Sequence, residues 1–401
     1  MKRSTMAGNA HKLIYLDHAA TSWPKPAGVE RAMLGALTQP LGNPGRSGHR
    51  LSIAAAEVVE GARSALACLL SLPDPSRIAF TKNATEALNL GIFGLLEPGD
   101  HVITSNLEHN ATMRPLRHLE QRGVALSLIG FRADGQFDLE ALAGAIRPNT
   151  RLITTLHGSN VTGSVLPVEE ICVEARRRNI PYLIDASQTA GSQPLVPQAW
   201  GADLVAITGH KGLLGPSGIG ALYVREGLDL NPLIRGGTGS ASEREQQPRF
   251  MPDCFESGTQ NILGAAGLKA ALDHISAIGI DAIARHESTL RQRTQCGLQS
   301  IPGVTVYEPR QDGPRCSTLS FNIDTLSCSD VGLLLDQKFG VMSRVGLHCA
   351  PAAHQAIGTY PAGTVRFGIG YSNTVAEIDS AVDAVRQIAR WASHHRRGSA
   401  P

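Results

Sequence analysis

Residues 203–225 read DLVAITGHKGLLGPSGIGALYVR. Two apolar runs of strand length enclose a glycine-rich stretch that opens Thr-Gly-His-Lys-Gly. A short apolar run bounded by glycine reads as a strand buried on both faces. Such strands belong to sheets covered by helices on both sides. Working outward, the same kind of run recurs at 77–81 (RIAFT), 101–105 (HVITS), 125–130 (ALSLIG), 151–157 (RLITTLH) and 181–187 (PYLIDAS). Amphipathic segments fill the gaps. VEEICVEARRRN, for example, carries Glu early and Arg late, the arrangement the helix dipole favours. The fold class is therefore α/β, with a mostly parallel seven-stranded sheet.

Beyond Thr259 the pattern changes. A long helical periodicity runs through NILGAAGLKAALDHISAIGIDAIARHESTLRQRTQCGLQS, and Gly279 divides it into two helices. VTVYEP, STLSFNI, SDVGLLLDQKFG, TVRFGIG and a final amphipathic helix follow, reading strand, strand, helix, strand, helix. This predicts a smaller α+β domain. The expected division is a large domain over 21–282 and a small one made of 1–20 and 283–401. The small domain carries the loop RVGLHCAPAAH (344–354). The polar end SHHRRGSAP reads as a frayed tail.

Composition removes several function classes. The chain has 401 residues, 42% hydrophobic and 18% charged, with a net charge of +2. No basic stripe marks a nucleic-acid surface. No apolar run has the length of a membrane span or of a secretory signal. Seven cysteines stand at 68, 172, 254, 296, 316, 328 and 349, with no C-x-x-C among them. An odd count without paired spacing argues against a disulfide framework and predicts free thiols in a cytoplasmic protein.

In open α/β sheets, ligands sit at the carboxyl ends of the strands. The runs end on informative residues. PYLIDASQ ends on Asp185 and Gln188. DLVAITGHKG ends on Thr208, His210 and Lys211. HVITSNLEHNA ends on His109, and RIAFTKNATEALN ends in a turn and opens a helix near Thr85. An acid, a lysine, an imidazole and a helix N-terminus on one rim suit pyridoxal 5′-phosphate (PLP). The lysine bonds the aldehyde. A carboxylate keeps the pyridine nitrogen protonated. A flat ring stacks on the cofactor, and free N–H groups bind its phosphate. Each feature alone also fits an ordinary role: a solvated lysine, a capping aspartate, a satisfied histidine, an N-cap threonine. Their joint order points to the cofactor.

Cys349 sits in a punctuated loop beside polar and cationic residues, where a buried structural thiol is out of place. It reads as a thiol without a task, as part of a metal site with His348 and His354, or as a nucleophile. No C-x-x-C or H-x-x-x-H element completes a closed metal site, so no metal is assigned.

YLDHAAT (15–21), NATEALN (83–89), EHNA (108–111), HGSNVTG (157–163), DASQTAG (185–191), TGHKGLLGPSGIG (208–220), ESGTQN (256–261) and RVGLHCAP (344–351) together resemble the class V aminotransferase family of fold type I PLP enzymes. The last motif resembles the type II-like cysteine desulfurase branch. Leu347 stands where relatives of that branch often carry a second histidine.

The resemblance implies the following roles. Lys211 holds the cofactor and shuttles the substrate α-proton. Asp185 pairs with the ring nitrogen, Gln188 bonds the ring oxygen and His109 stacks. Ala84, Thr85, Thr208 and His210 hold the phosphate. Thr259 reaches a neighbouring subunit's phosphate, which implies a homodimer. Asn160, Arg344 and Arg366 take the substrate carboxylate, a task suited to a planar guanidinium. Cys349 accepts sulfur from L-cysteine as a persulfide, leaves L-alanine, and passes the sulfur to an acceptor protein. The 17-residue spacing from Cys349 to Arg366 matches the short loop of that branch. The alternatives are a selenocysteine lyase, or another class V reaction (transamination, epimerisation or C–S cleavage) in which Cys349 is dispensable.

Overall fold

The computed structural model describes residues 13–45, 48–132, 135–308 and 313–397, with side chains to residue 394. In chain order the strands are β1 (Ile14–Tyr15), β2 (Ile78–Thr81), β3 (His101–Ser105), β4 (Ala125–Ile129), β5 (Thr150–Leu156), β6 (Tyr182–Asp185), β7 (Leu204–Thr208), β8 (Gly220–Val224), β9 (Val304–Tyr307), β10 (Thr318–Ile323), β11 (Val341–Met342), β12 (Arg344–Gly346) and β13 (Thr364–Gly368). The seven runs read from sequence are the seven strands β2 to β8. They form one sheet in the order β2-β8-β7-β6-β5-β3-β4. Only β8 runs antiparallel to its neighbours.

The alternation of side chains sorts this sheet's core into two layers. Ile103, Ile153, Ile184, Val205 and Ile207 pack on one face with Val59, Leu66 and Leu268. Their sequence neighbours Val102, Leu152, Leu183, Leu204 and Ala206 pack on the other with Leu88, Ile92 and Leu116. Consecutive residues facing opposite layers is the period-two signature of a strand covered on both sides. A third core gathers Leu16, Leu290, Leu335, Val385 and the edge-on pair Phe321–Phe367. It lies against an antiparallel sheet in the order β12-β13-β10-β9. The helical stretch after Thr259 breaks at Gly279, as its sequence predicts, into Ile262–Ile278 and Ile280–Gln299.

Three local readings change. Part of the loop 344–354 is ordered: Arg344–Gly346 is a strand and Pro351–Ala356 a short helix. Three residues are too few for a period-two pattern to show. β1 and β11, two residues each, pair with one another and were invisible for the same reason. The last helix spans Val375–Arg397, so the polar end is helical for most of its length. Residues 398–401 lie outside the described part.

Strand order positions the site. The chain moves from β3 outward to β4, then returns past β3 to β5, β6 and β7. The carboxyl ends flanking this reversal open a crevice. Thr81, Gly220 and Thr208 are level across the sheet. The turn after β2 therefore reaches the same rim as the end of β7. Gly220 is required there, because a Cβ would lie 2.7 Å from the Asn83 backbone.

Candidate active site

A cavity of about 220 Å3 opens at this crevice. Its walls come from the ends of β3, β5, β6 and β7, the start of helix Ala84–Leu95, and the β12–β13 hairpin. Lys211, Asp185, Gln188, His109, Ala84, Thr85, Thr208, His210, Asn160, Arg344 and Arg366 all line it.

Lys211 follows β7 in a tight turn, in which the Leu214 N–H donates to the Lys211 carbonyl (2.8 Å). The preceding carbonyl, His210 O, collects donors from the N-terminal segment. These are Ser22 N–H (2.9 Å), Lys25 Nζ (2.8 Å), and the Thr21 and Ser22 hydroxyls (both 3.1 Å). The segment TSWPK thus braces the lysine turn across the whole sequence. Burial pulls the Lys211 amine down to about 8; Arg366 and Arg344 push the same way, and Asp185 and Cys349 oppose them. An amine near 8 is available as a free base close to neutral pH, which a nucleophilic lysine requires.

Asp185 ends β6, is 5% exposed, and accepts from the Ser187 N–H (2.9 Å). The Gln188 side-chain amide donates to Ala19 O (3.0 Å). His109 caps helix Asn110–Glu120, its Nδ1 accepting from the Ala111 N–H (3.0 Å). Burial, then the Lys211 charge, pulls His109 down to about 4. The ring is therefore neutral with its proton on Nε2.

The residues around the start of helix Ala84–Leu95 form a donor set. Asn83 caps helix Ala84–Leu95 through the Glu86 N–H. The first N–H groups of a helix have no partner within it. Beside them, Thr208 Oγ1 and His210 Nδ1 are buried without a hydrogen-bond partner. Orphaned buried polar atoms in a cavity call for a ligand that satisfies them. An anion at a helix N-terminus does so.

The hairpin brings a charge conflict. Arg344 and Arg366 are direct cross-strand partners, both turned to the cavity. Like charges placed opposite one another repel. Arg366 is 1% exposed and donates to Asp17 Oδ1 (2.7 Å) and to the Asn160 carbonyl (3.2 Å). Arg344 Nη2 lies 3.4 Å from Cys349 Sγ. Arg366 Nε and Asn160 Oδ1 keep no partner. The pair of arginines and an unpartnered amide fit an incoming carboxylate.

Cys349 itself is exposed and does not line the cavity, although its neighbours Arg344 and His348 do. Among the described residues, no three His, Cys, Asp or Glu side chains converge as a metal site. His348 bonds Thr364 Oγ1 through Nε2 (3.0 Å). Thr259 lies apart, in a second cavity of about 360 Å3 beside Lys82, Glu86 and Asn261. The buried pair Arg63–Glu256 (2.6 and 2.9 Å) holds its segment against β2.

A model of the family "Aminotransferase class-V" matches residues 14–381. The chain belongs to the class V aminotransferases. Among curated members, it is 35% identical to a probable cysteine desulfurase of Methanothermobacter thermautotrophicus, covering 94% of each protein. It is 34% identical to a cysteine desulfurase of Serratia proteamaculans, covering 95% of each. Among solved class V folds, the apo cysteine desulfurase of Thermococcus onnurineus superposes with a TM-score of 0.88 at 32% identity, over 94% of this chain and 95% of that one. The Escherichia coli cysteine desulfurase CsdA gives 0.84 at 28% identity, over 94% and 95%.

Two participants escaped sequence reasoning. Asp17, inside the quoted motif YLDHAAT, is the half-buried counter-charge of the buried Arg366. Glu108, next to His109, is fully buried and ties two strand ends by accepting from Ser105 Oγ (2.5 Å) and the Leu156 N–H (2.9 Å). Burial raises its carboxyl to about 8. Arg366 lies far from Asp17 in sequence, and an acid beside a histidine carries no mark of its burial. Among the described residues, no helix is long and apolar enough to cross a membrane.

Proposed function

We propose that this protein is a PLP-dependent cysteine desulfurase. L-cysteine and the Cys349 thiol give L-alanine and a Cys349 persulfide. The substrate C–S bond breaks, a sulfur–sulfur bond forms on Cys349, and no outside oxidant or reductant is needed. PLP, when bound, supplies the electron sink that lets the substrate's Cα–H and C–S bonds be broken.

The chain's own residues do the rest. Lys211 holds the cofactor and moves a proton at the substrate Cα. Asp185 keeps the ring nitrogen protonated, Gln188 bonds the ring oxygen, and neutral His109 stacks on the ring face. Ala84, Thr85, Thr208 and His210 take the phosphate. Arg366 and Asn160 hold the substrate carboxylate, and Arg344, 3.4 Å from the Cys349 sulfur, orients the thiol that attacks.

The observation that carries this reading is the β12–β13 hairpin. One cross-strand pair puts an arginine at the cavity and another at the Cys349 sulfur. A guanidinium set against an exposed thiol suits a reaction in which that thiol takes part. A core of its own, from Leu16 and Leu290 to Val385, supports a small unit of 1–20 and 283–401 beside a large one over 21–282. Thr259, beside the opening of the phosphate helix, supports a homodimer in which it serves the neighbouring site. A persulfide on an exposed cysteine suits a protein acceptor.

The test gives purified protein L-cysteine and a thiol reductant, then measures alanine and sulfide, with Lys211→Ala and Cys349→Ala in parallel. Wild type forms both products and each variant loses them. Equal product from Cys349→Ala would remove the desulfurase reading and leave another class V reaction.

A further inference from the structure

His348 and Cys349 both adopt left-handed backbone conformations, with φ of 48° and 59°. Two adjacent non-glycine residues in this region are uncommon, and such a turn persists only where its surroundings over-determine it. Here they do. The His348 carbonyl accepts from Asn160 Nδ2 (2.7 Å). The Cys349 carbonyl accepts from the Asn110 N–H (2.7 Å), and the Ala350 N–H closes the turn on Leu347 O (2.9 Å). The remaining tie is the His348 ring itself. It is 3% exposed, with Nε2 3.0 Å from Thr364 Oγ1 on the neighbouring strand.

We infer that His348 is a positioning residue whose imidazole, anchored on Thr364, locks the strained turn that sets the Cys349 thiol against Arg344, a residue of the cavity wall. The inference rests on the proposed role of Cys349 and goes beyond it. A histidine next to a reactive cysteine invites a different role, that of its base. The geometry opposes this: one ring nitrogen is spent on Thr364, and the other is buried without a partner. The groups that face the ring are Arg366, His354 and Arg344. Burial, then those charges, pulls His348 down to about 2, so it does not collect a proton near neutral pH. The tilted His354 ring (5.3 Å between centroids) fills its other side.

The anchor and the base make different predictions for the same holoenzyme. Thr364→Val removes only the far end of the anchor. It lowers kcat for alanine formation about tenfold, the scale of one lost hydrogen bond. KM for L-cysteine, the cofactor's visible absorbance and the shape of the pH profile stay as in wild type. Thr364→Ser restores the rate. His348→Gly, which accepts a positive φ freely, retains several-fold more activity than His348→Ala. Should Thr364→Val not fold, the His348 pair decides alone. A wild-type rate in Thr364→Val would overturn the inference. So would equal loss in His348→Gly and His348→Ala with one limb of the pH profile gone, because that marks a base. Cys349→Ala runs beside them. If it keeps full activity, the proposed function itself fails; if it is inactive while the other outcomes are adverse, only the anchor does.

Discussion

The lysine turn and the cysteine turn carry the two groups proposed to react, and they are built in opposite ways. Lys211 sits at the end of a strand in the middle of a seven-stranded sheet, its neighbour's carbonyl braced by the N-terminal segment. Its position is a consequence of the fold. Cys349 hangs on a three-residue edge strand, in a left-handed turn tied by single contacts from residues distant in sequence. Each left-handed residue costs about 1–2 kcal/mol, which those ties must offset. The difference teaches that the cofactor half is rigid architecture. The sulfur half is a device assembled on top of it, where a single lost contact shows.

Each prediction breaks or sharpens that contrast. The largest effect is expected at Lys211. Lys211→Ala lowers turnover by about 10^3-fold or more and loses the cofactor's lysine-bound absorbance, measured by spectrum and alanine assay. Next is Arg366→Ala. Losing a charge-assisted contact raises KM for L-cysteine by roughly 30- to 100-fold while the cofactor spectrum survives. A change confined to kcat would place the substrate carboxylate elsewhere.

Smaller is Asn110→Pro. Asn110 is the first residue of its helix, where proline is tolerated, and His109 already has the extended conformation proline imposes on the residue before it. The substitution removes the N–H that holds the Cys349 carbonyl. Turnover falls about tenfold with KM unchanged; no change would make the cysteine turn as self-sufficient as the lysine turn.

The smallest effect concerns stability alone. Glu108 is raised from 4.5 to about 8, so the folded state holds a proton there that the unfolded chain releases. Its contribution is present in full below pH 4.5 and lost as pH rises to about 8. Glu108→Gln, neutral throughout, should gain on wild type by a few degrees of Tm across that window. A constant gap would mean that Glu108 is ionised in the native protein.

The same contrast explains what sequence could show. Strands β2 to β8 were legible because burial on both faces demands continuous apolar runs. Lys211, Asp185 and His109 were legible because they follow those runs directly. Cys349 was conspicuous only as a thiol out of place, and its ties were not legible. Asn160, Asn110, Thr364 and Arg344 meet it through the sheet's strand order and a hairpin register, which no local pattern encodes. The Asp17–Arg366 pair and the brace on His210 join the first residues to the rest for the same reason. Thr259 lies outside the lysine's cavity, a placement that a motif cannot reveal.

The account rests on Cys349 receiving sulfur from the substrate bound over Lys211. Holoenzyme mixed with one equivalent of L-cysteine, quenched, digested and weighed by mass spectrometry tests this most directly. The account predicts one added sulfur atom on the peptide containing Cys349, matched by alanine and absent in Lys211→Ala. Alanine formed while that peptide keeps its original mass would contradict it.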